Sequence, residues 1–337
     1  MHRSDLTKPN IAIIGTGALA CLFGARLSQV ANITLIGTWQ AQIDAINVNG
    51  VTVKELSGDE QVFQVNAKVH PFKDGFNQAD FALLLVKSFQ TAAAAKRVRD
   101  CIKPNGVTLS LQNGLGNQEV LLAELPFHMI SSGSTMQGAH LDPNRPGVVT
   151  HAGNGASIID NKPFLAELKA LLETAGLPVQ THTETDAFSI EAVLWRKMIV
   201  NASINPLTAL LGEPNGFIAA DPLARKLCIA TTKEAVKIAQ LEGNWPENKD
   251  AELIGIEVAQ STANNRSSML QDVSRGGRTE IEAICGEIVR RAERLNVQTP
   301  INRLWLDLVT KVNEEGATDG RQVYSAAALL QKLGAKL

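Results

Sequence analysis

The sequence lacks the features that would tie a chain to a membrane, a metal or a polyanion. Its longest apolar stretches, such as Phe81 to Val86, fall far short of the ~20 residues that a membrane helix needs. The opening stretch from Met1 to Pro9 is polar and of mixed charge. It has no apolar core of the about 7 to 15 residues found in a secretory signal, so the expected location is cytoplasmic. Charge is close to balance, with 32 Lys and Arg against 34 Asp and Glu. Nothing of that kind draws a protein to nucleic acid or to an anionic membrane. Arg290, Arg291 and Arg294 share a helix face, which reads as solvated surface rather than a nucleic-acid patch.

Cys21, Cys101, Cys228 and Cys285 are far apart and lack C-x-x-C spacing, so they read as buried thiols. The six histidines are scattered, and His140 and His151 form no helical H-x-x-x-H pair. No metal site is expected.

What the chain does have is length and apolar content. Its 337 residues are 45% apolar and 20% charged, enough for two domains with a core each. Asn10 to Gly15 reads as a strand, Ala18 to Gln29 as a helix and Ile33 to Ile36 as a second strand, the opening of a parallel α/β sheet. Strands at Phe81 to Val86, Val107 to Leu111 and Met129 to Ser132 alternate with helices near Ala92 to Cys101 and Gln118 to Leu125, which continues a doubly wound βα pattern. Short antiparallel strands are expected between Val148 and Ile159, then a helix over Phe164 to Ala175 and a strand over Val179 to His182. From Thr185 onward the periodicity is helical. Thr279 with Glu282 reads as a T-x-x-E capping box ahead of Ile281, Ile284 and Ile288. The expected fold is thus an N-terminal doubly wound α/β domain, residues 1–184, followed by a mostly α-helical domain, residues 185–337.

Gly15-Thr16-Gly17-Ala18-Leu19-Ala20 follows the first strand and opens a helix, the context in which G-x-G-x-x-[GA] marks a Rossmann dinucleotide site. Gly15 permits the turn, Gly17 lets the backbone approach a pyrophosphate, and Ala20 lets helix and strand pack closely. The helix N-terminus attracts the anion. An ordinary glycine-rich βα turn is the competing reading. After the second strand comes Gly37-Thr38-Trp39-Gln40, with no carboxylate for a ribose 2′-OH and no Arg for a 2′-phosphate. NADH and NADPH both stay open on these residues.

In the second half, W-R-K-M-I-V-N-A-S-I-N-P-L-T sets Lys197, Asn201 and Asn205 at i, i+4 and i+8, one face of a helix. The residues between them are apolar, so the polar stripe should line a cleft. Alternatively, Lys197 could be a surface lysine and Asn205 could simply end the helix before Pro206. Farther on, N-N-R-S-S-M-L-Q-D from Asn264 and then Glu280 supply further hydrogen-bonding groups suited to a small polar ligand. Glu280 could instead serve only the helix dipole, and Ser268 only local backbone.

These motifs, together with Leu84-Leu85-Val86-Lys87 and Gln112-Asn113-Gly114-Leu115-Gly116, resemble the ketopantoate reductase family from Asn10 to about Glu315. The resemblance implies reduction of 2-dehydropantoate to pantoate, a step toward pantothenate and coenzyme A. It implies Lys197 as catalytic acid and Glu280 as its supporting carboxylate. Asn201, Asn205, Asn265 and Ser268 match substrate contacts, while Lys87 and Asn113 match residues between cofactor and substrate. The cofactor implied is NADPH, although Thr38 stands where the family carries Arg. Two rivals stay open: a reductase of another small 2-oxoacid, and a non-catalytic dinucleotide-binding sensor. The apolar helices of the second half are compatible with a homodimer.

Overall fold

The computed structural model describes residues 8–70, 78–125, 129–182, 189–245, 251–319 and 321–334. Glu184, where the sequence analysis sets the domain boundary, lies outside the described residues. Contacts divide the chain into two units, one reaching to Gln112 and resuming at Asn117, the other made of Asn113–Gly116 and the helices from Ile190 onward.

The first unit holds strands β1 (Asn10–Ile14), β2 (Asn32–Gly37), β3 (Val51–Lys54), β4 (Glu60–Phe63), β5 (Asn66–Val69), β6 (Ala79–Leu84), β7 (Ile102–Ser110), β8 (Met129–Leu141), β9 (Val148–Asp160) and β10 (Val179–His182). It also holds helices α1 (Ala18–Leu27), α2 (Gln40–Asn49), α3 (Thr91–Arg99), α4 (Asn117–Glu124) and α5 (Ala166–Thr174). The strands run in the order β4-β3-β9-β8-β7-β6-β1-β2-β5, with β10 also on β9. From β5 through β8 every neighbour is parallel. Counting only these parallel strands in chain order, the arrangement is the doubly wound 3-2-1-4-5-6, whose direction reverses between β1 and β6.

Strands buried on both faces read as unbroken apolar runs, and IAII in β1 and FALL in β6 are such runs. Alternate residues serve opposite cores. Ile11, Ile13, Phe81 and Leu83 join Leu22 and Phe23 of α1. Ala12, Ile14, Ala82 and Leu84 join Ala94, Ala95 and Val98 of α3. The short antiparallel strands expected after Val148 are instead one 13-residue strand, β9, antiparallel to the equally long β8. Helix α2 and strands β3 to β5 were not legible in the sequence.

The second unit holds α6 (Ile190–Leu211), α7 (Asn215–Ala220), α8 (Pro222–Leu241), α9 (Ile254–Ser261), α10 (Ser268–Ser274), α11 (Glu287–Arg294), α12 (Pro300–Glu315) and α13 (Ala326–Leu333). Helix α6 is its axis. Ser189 caps α6 by accepting from Ala192 N at 3.1 Å, and Gly212, at φ +72°, ends it. A Cβ on Gly255 would lie 2.9 Å from Ser203 Cβ and Cys228 Sγ, so the missing side chain lets α9 settle against α6 and α8. Ser203 and Thr232 hydroxyls meet there at 2.7 Å.

One competing reading falls and one local expectation is corrected. Helix α6 does not stop at Asn205; it continues through Pro206 to Leu211. The T-x-x-E box is not formed either. Thr279 Oγ1 accepts from Ile281 N at 3.4 Å, but Glu282 pairs with Arg290 at 3.2 Å. Residues Glu282–Gly286 make a π-turn leading into α11, and that wider winding carries Glu282 away from the cap. All four cysteines are buried and unbridged. Among the described residues no helix is long and apolar enough to cross a membrane, and no cluster of His, Cys, Asp and Glu could hold a metal.

Candidate active site

In the first unit, the carboxyl ends of β1, β2 and β6 are stitched together. Gly15 N donates to Ile36 O at 2.8 Å and Leu85 N to Ile14 O at 3.1 Å. Gly15 sits at φ +132°, and a Cβ there would lie 3.3 Å from Leu85 O and 3.4 Å from Ala20 Cβ. Only glycine holds that turn comfortably, and only a small residue at position 20 allows the helix so near. Beside Gly17, by contrast, nothing lies within 4 Å of where its Cβ would be. No side chain caps α1, so the first-turn N–H groups, which have no partner within the helix, are left to solvent or a ligand. Bare backbone at a helix N-terminus beside a strand-order reversal fits a pyrophosphate. Thr16, Ala18 and Leu19 belong to the same turn and first helical residues.

Thr38 and Trp39 follow β2 and are exposed. Gly37 before them has no room for a side chain, because Thr16 fills the space. This pairing is not among the residues singled out from sequence; its one signal there is a glycine ending the strand that follows the glycine-rich loop. Lys87, part-buried, follows β6 and starts a short 3-10 turn. Gln112 Nε2 pins the preceding residue, donating to Val86 O at 3.1 Å.

The second unit carries the stripe on α6. Asn201 is part-buried and Asn205 is 6% exposed. Lys197 as a whole residue is also part-buried. Desolvation of its amine pushes its pKa down to about 8, and the carboxylate of Glu280 acts in the opposite direction. Glu280, 5% exposed, accepts from Asn113 Nδ2 at 3.0 Å. Lys197, Glu280 and Asn113 therefore form one group.

Thr208, one turn beyond Asn205, lies 2.7 Å from Ser267 Oγ. Ser267 caps α10 by accepting from Leu270 N at 3.1 Å, so Ser268, the first residue of that helix, is fixed relative to the end of α6. Thr208 and Ser267 are not singled out as a tie from sequence; the available signal is a threonine at the far end of a polar stripe. Asn265 is exposed in the loop before α10, and its backbone O accepts from Asn215 N at 2.9 Å.

Comparison with known proteins agrees with both halves. The family model "Ketopantoate reductase PanE/ApbA" matches residues 11–163, and "Ketopantoate reductase PanE/ApbA C terminal" matches residues 189–313. A 2-dehydropantoate 2-reductase of Pyrococcus horikoshii is 36% identical over 305 residues, 89% of this chain and 96% of its own. One from Halobacterium salinarum is 32% identical over 313 residues, 91% and 99% of the two chains. Among solved structures, a PanE/ApbA family ketopantoate reductase from Ralstonia eutropha superimposes with a TM-score of 0.81 at 29% identity, covering 91% of this chain and 99% of its own. D-mandelate dehydrogenase with NADH and anilino(oxo)acetate does so with a TM-score of 0.82 at 25% identity, covering 91% and 98%. The chain belongs to the ketopantoate reductase family of NAD(P)-dependent oxidoreductases.

Proposed function

We propose that this protein reduces 2-dehydropantoate to pantoate with NADPH, with Lys197 as the proton donor, in the cytoplasmic synthesis of pantothenate and coenzyme A. Residues 1–184 bind the dinucleotide, through Gly15 to Ala20, Thr38 and Lys87, and residues 185–337 hold the oxoacid. The observation that carries the reading is the grouping of the Lys197 amine with the buried Glu280, whose carboxylate accepts from Asn113 Nδ2 at 3.0 Å, with desolvation pushing the amine's pKa down to about 8. A general acid works best with a pKa close to the operating pH.

When bound, the dihydronicotinamide supplies a hydride to the ketone carbon. The ammonium of Lys197 polarises the carbonyl oxygen and transfers its proton as alkoxide character builds. Glu280 stabilises the ammonium, and solvent restores the lost proton. Asn201, Asn205, Asn265 and Ser268 take the carboxylate and distal hydroxyl, fixing the ketone beside the hydride donor. Asn113 holds Glu280.

A second reading, an NADH-dependent reductase of another 2-oxoacid, is favoured by Thr38 and by the likeness to D-mandelate dehydrogenase with NADH. Following NADPH and NADH oxidation with ketopantoate and a panel of 2-oxoacids separates the two. Preferred turnover of ketopantoate with NADPH is expected. Preference for another oxoacid replaces the substrate, and binding of NADPH without turnover on the panel overturns the enzymatic reading.

A further inference from the structure

The segment that carries Asn113 meets the π-turn at a contact closer than any side chain allows. Gly114 has φ +81°, and a Cβ there would lie 2.5 Å from Ala283 O and 3.2 Å from Ala283 C. Ala283 belongs to the π-turn Glu282–Gly286, a rigid backbone target. That turn is anchored on Glu280, whose backbone O accepts from Ala283 N at 3.0 Å and Ile284 N at 3.1 Å. Glu280 is thus held twice, by its carbonyl through the π-turn and by its carboxylate through Asn113 Nδ2 at 3.0 Å. Both holds converge on the residue pair Gly114 and Ala283. π-Turns of this kind are rare and occur frequently at functional sites.

Gly116 supplies an internal contrast. It has nearly the same backbone, φ +83°, yet a Cβ there would come no nearer than 3.8 Å to the Glu287 carboxylate. Position 116 needs glycine for its dihedral alone. Position 114 needs it for the dihedral and for the approach.

We infer that Gly114 is a positioning residue, whose missing side chain lets the Asn113–Gly116 segment close on the π-turn backbone and so holds the Asn113 carboxamide on Glu280. Its consequence for catalysis rests on the reading of Lys197 and Glu280 as the proton-donating pair. A Cβ at 114 displaces the segment by the better part of an ångström, and misplacements of that size cost up to about a hundredfold in rate. Glu280 then loses a hydrogen bond to its ionised form and no longer supports the ammonium of Lys197 in a fixed direction.

The test compares Gly114→Ala with Gly116→Ala, which share the cost of alanine at positive φ and differ in the clash. Two readouts are needed: kcat and KM with NADPH and ketopantoate, and solvent exchange of the Asn113 side-chain amide by NMR, assigned with Asn113→Asp. Gly114→Ala is expected to lower kcat by about tenfold or more, to change KM for either substrate less than about threefold, and to speed exchange of the Asn113 amide. Gly116→Ala is expected to match the wild type in both readouts. Equal behaviour of the two variants overturns the inference. So does a freely exchanging Asn113 amide in the wild type, a result that holds even if Gly114→Ala fails to fold. If the wild type turns over no 2-oxoacid, the functional reading falls while the amide comparison still decides the positioning contact.

Discussion

Thr16 occupies the space that a side chain at Gly37 would need: a Cβ on Gly37 would lie 2.7 Å from Thr16 Cγ2 and 2.8 Å from its Oγ1. The glycine-rich loop and the end of β2 are therefore one packed piece. The strand end, where an NAD-selective Rossmann domain carries its carboxylate, has no room for one while Thr16 is in place.

Gly37→Asp should accordingly weaken binding of NADH and NADPH alike rather than select NADH. Thr38 is exposed and can change freely. Thr38→Arg adds a guanidinium able to pair with a 2′-phosphate, a charge-assisted contact of about 1.5–3 kcal/mol. Its KM for NADPH should fall by about tenfold or more with that for NADH nearly unchanged. An unaltered ratio in steady-state assays would show that the 2′-position is read elsewhere.

If Lys197 is the proton donor, the pH dependence of turnover reports its ammonium. A general acid must be protonated, so kcat should hold steady at neutral pH and fall as the pH rises through about 8. Glu280 raises the Lys197 pKa; Glu280→Gln should therefore move the fall to lower pH. Lys197→Ala should reduce kcat by about 10²–10⁴-fold. A kcat profile flat to pH 10 (about two units above the ammonium's pKa) would remove Lys197 from the proton-transfer step.

Ser267 and Thr208 tie α10 to α6. Ser267→Ala removes a helix cap and should cost about 1 kcal/mol in thermal unfolding. Thr208→Val leaves the Ser267 cap but deletes the buried link, at a similar cost of about 1 kcal/mol. If Ser268 binds the oxoacid, both variants should raise its KM while leaving that for the cofactor alone. An equal rise in both KM values would place the effect in general stability.

Glu234 stands in for a missing cap on α12, accepting from Ile301 N, Asn302 N and Asn302 Nδ2, each at 2.9 Å. Thr299, at the N-cap position, makes no side-chain cap bond. Glu234→Ala should cost about 2–3 kcal/mol, since buried donors lose their acceptor. Burial raises the Glu234 pKa despite these bonds, so the folded state keeps its proton to higher pH than the unfolded chain. The Glu234 contribution to stability therefore declines as pH rises from the unfolded value toward the raised folded one. Denaturation series across mildly acidic pH should show this slope in the wild type and not in Glu234→Gln; the same slope in both would assign it to other groups.

Some of this architecture is local and could be read directly. NIAII followed by G-x-G-x-x-A is a strand, a turn and a helix within a dozen or so neighbours, and short-range sterics decide all three. The stripe of Lys197, Asn201 and Asn205 follows from helical periodicity alone. VTVK, EQVF and NAKV escaped notice because each has only four residues, and EQVF and NAKV also have little burial contrast. β3 and β4 pair with each other, but what fixes them in the sheet lies farther off, β3 on β9 and β5 on β2, and pairing across such separations leaves no local trace.

Tertiary structure alone decided the rest. Pro206 breaks helices in isolation, yet burial of every residue from Ala202 to Leu211 holds α6 together across it. Asn113 and Glu280 stand 167 positions apart, and no periodicity connects them. The sequence by itself determined which chemical groups are present and which share a helix face. Packing determined which of them touch, and it lowered the pKa of Lys197 by taking its amine out of water, which no residue spacing can specify.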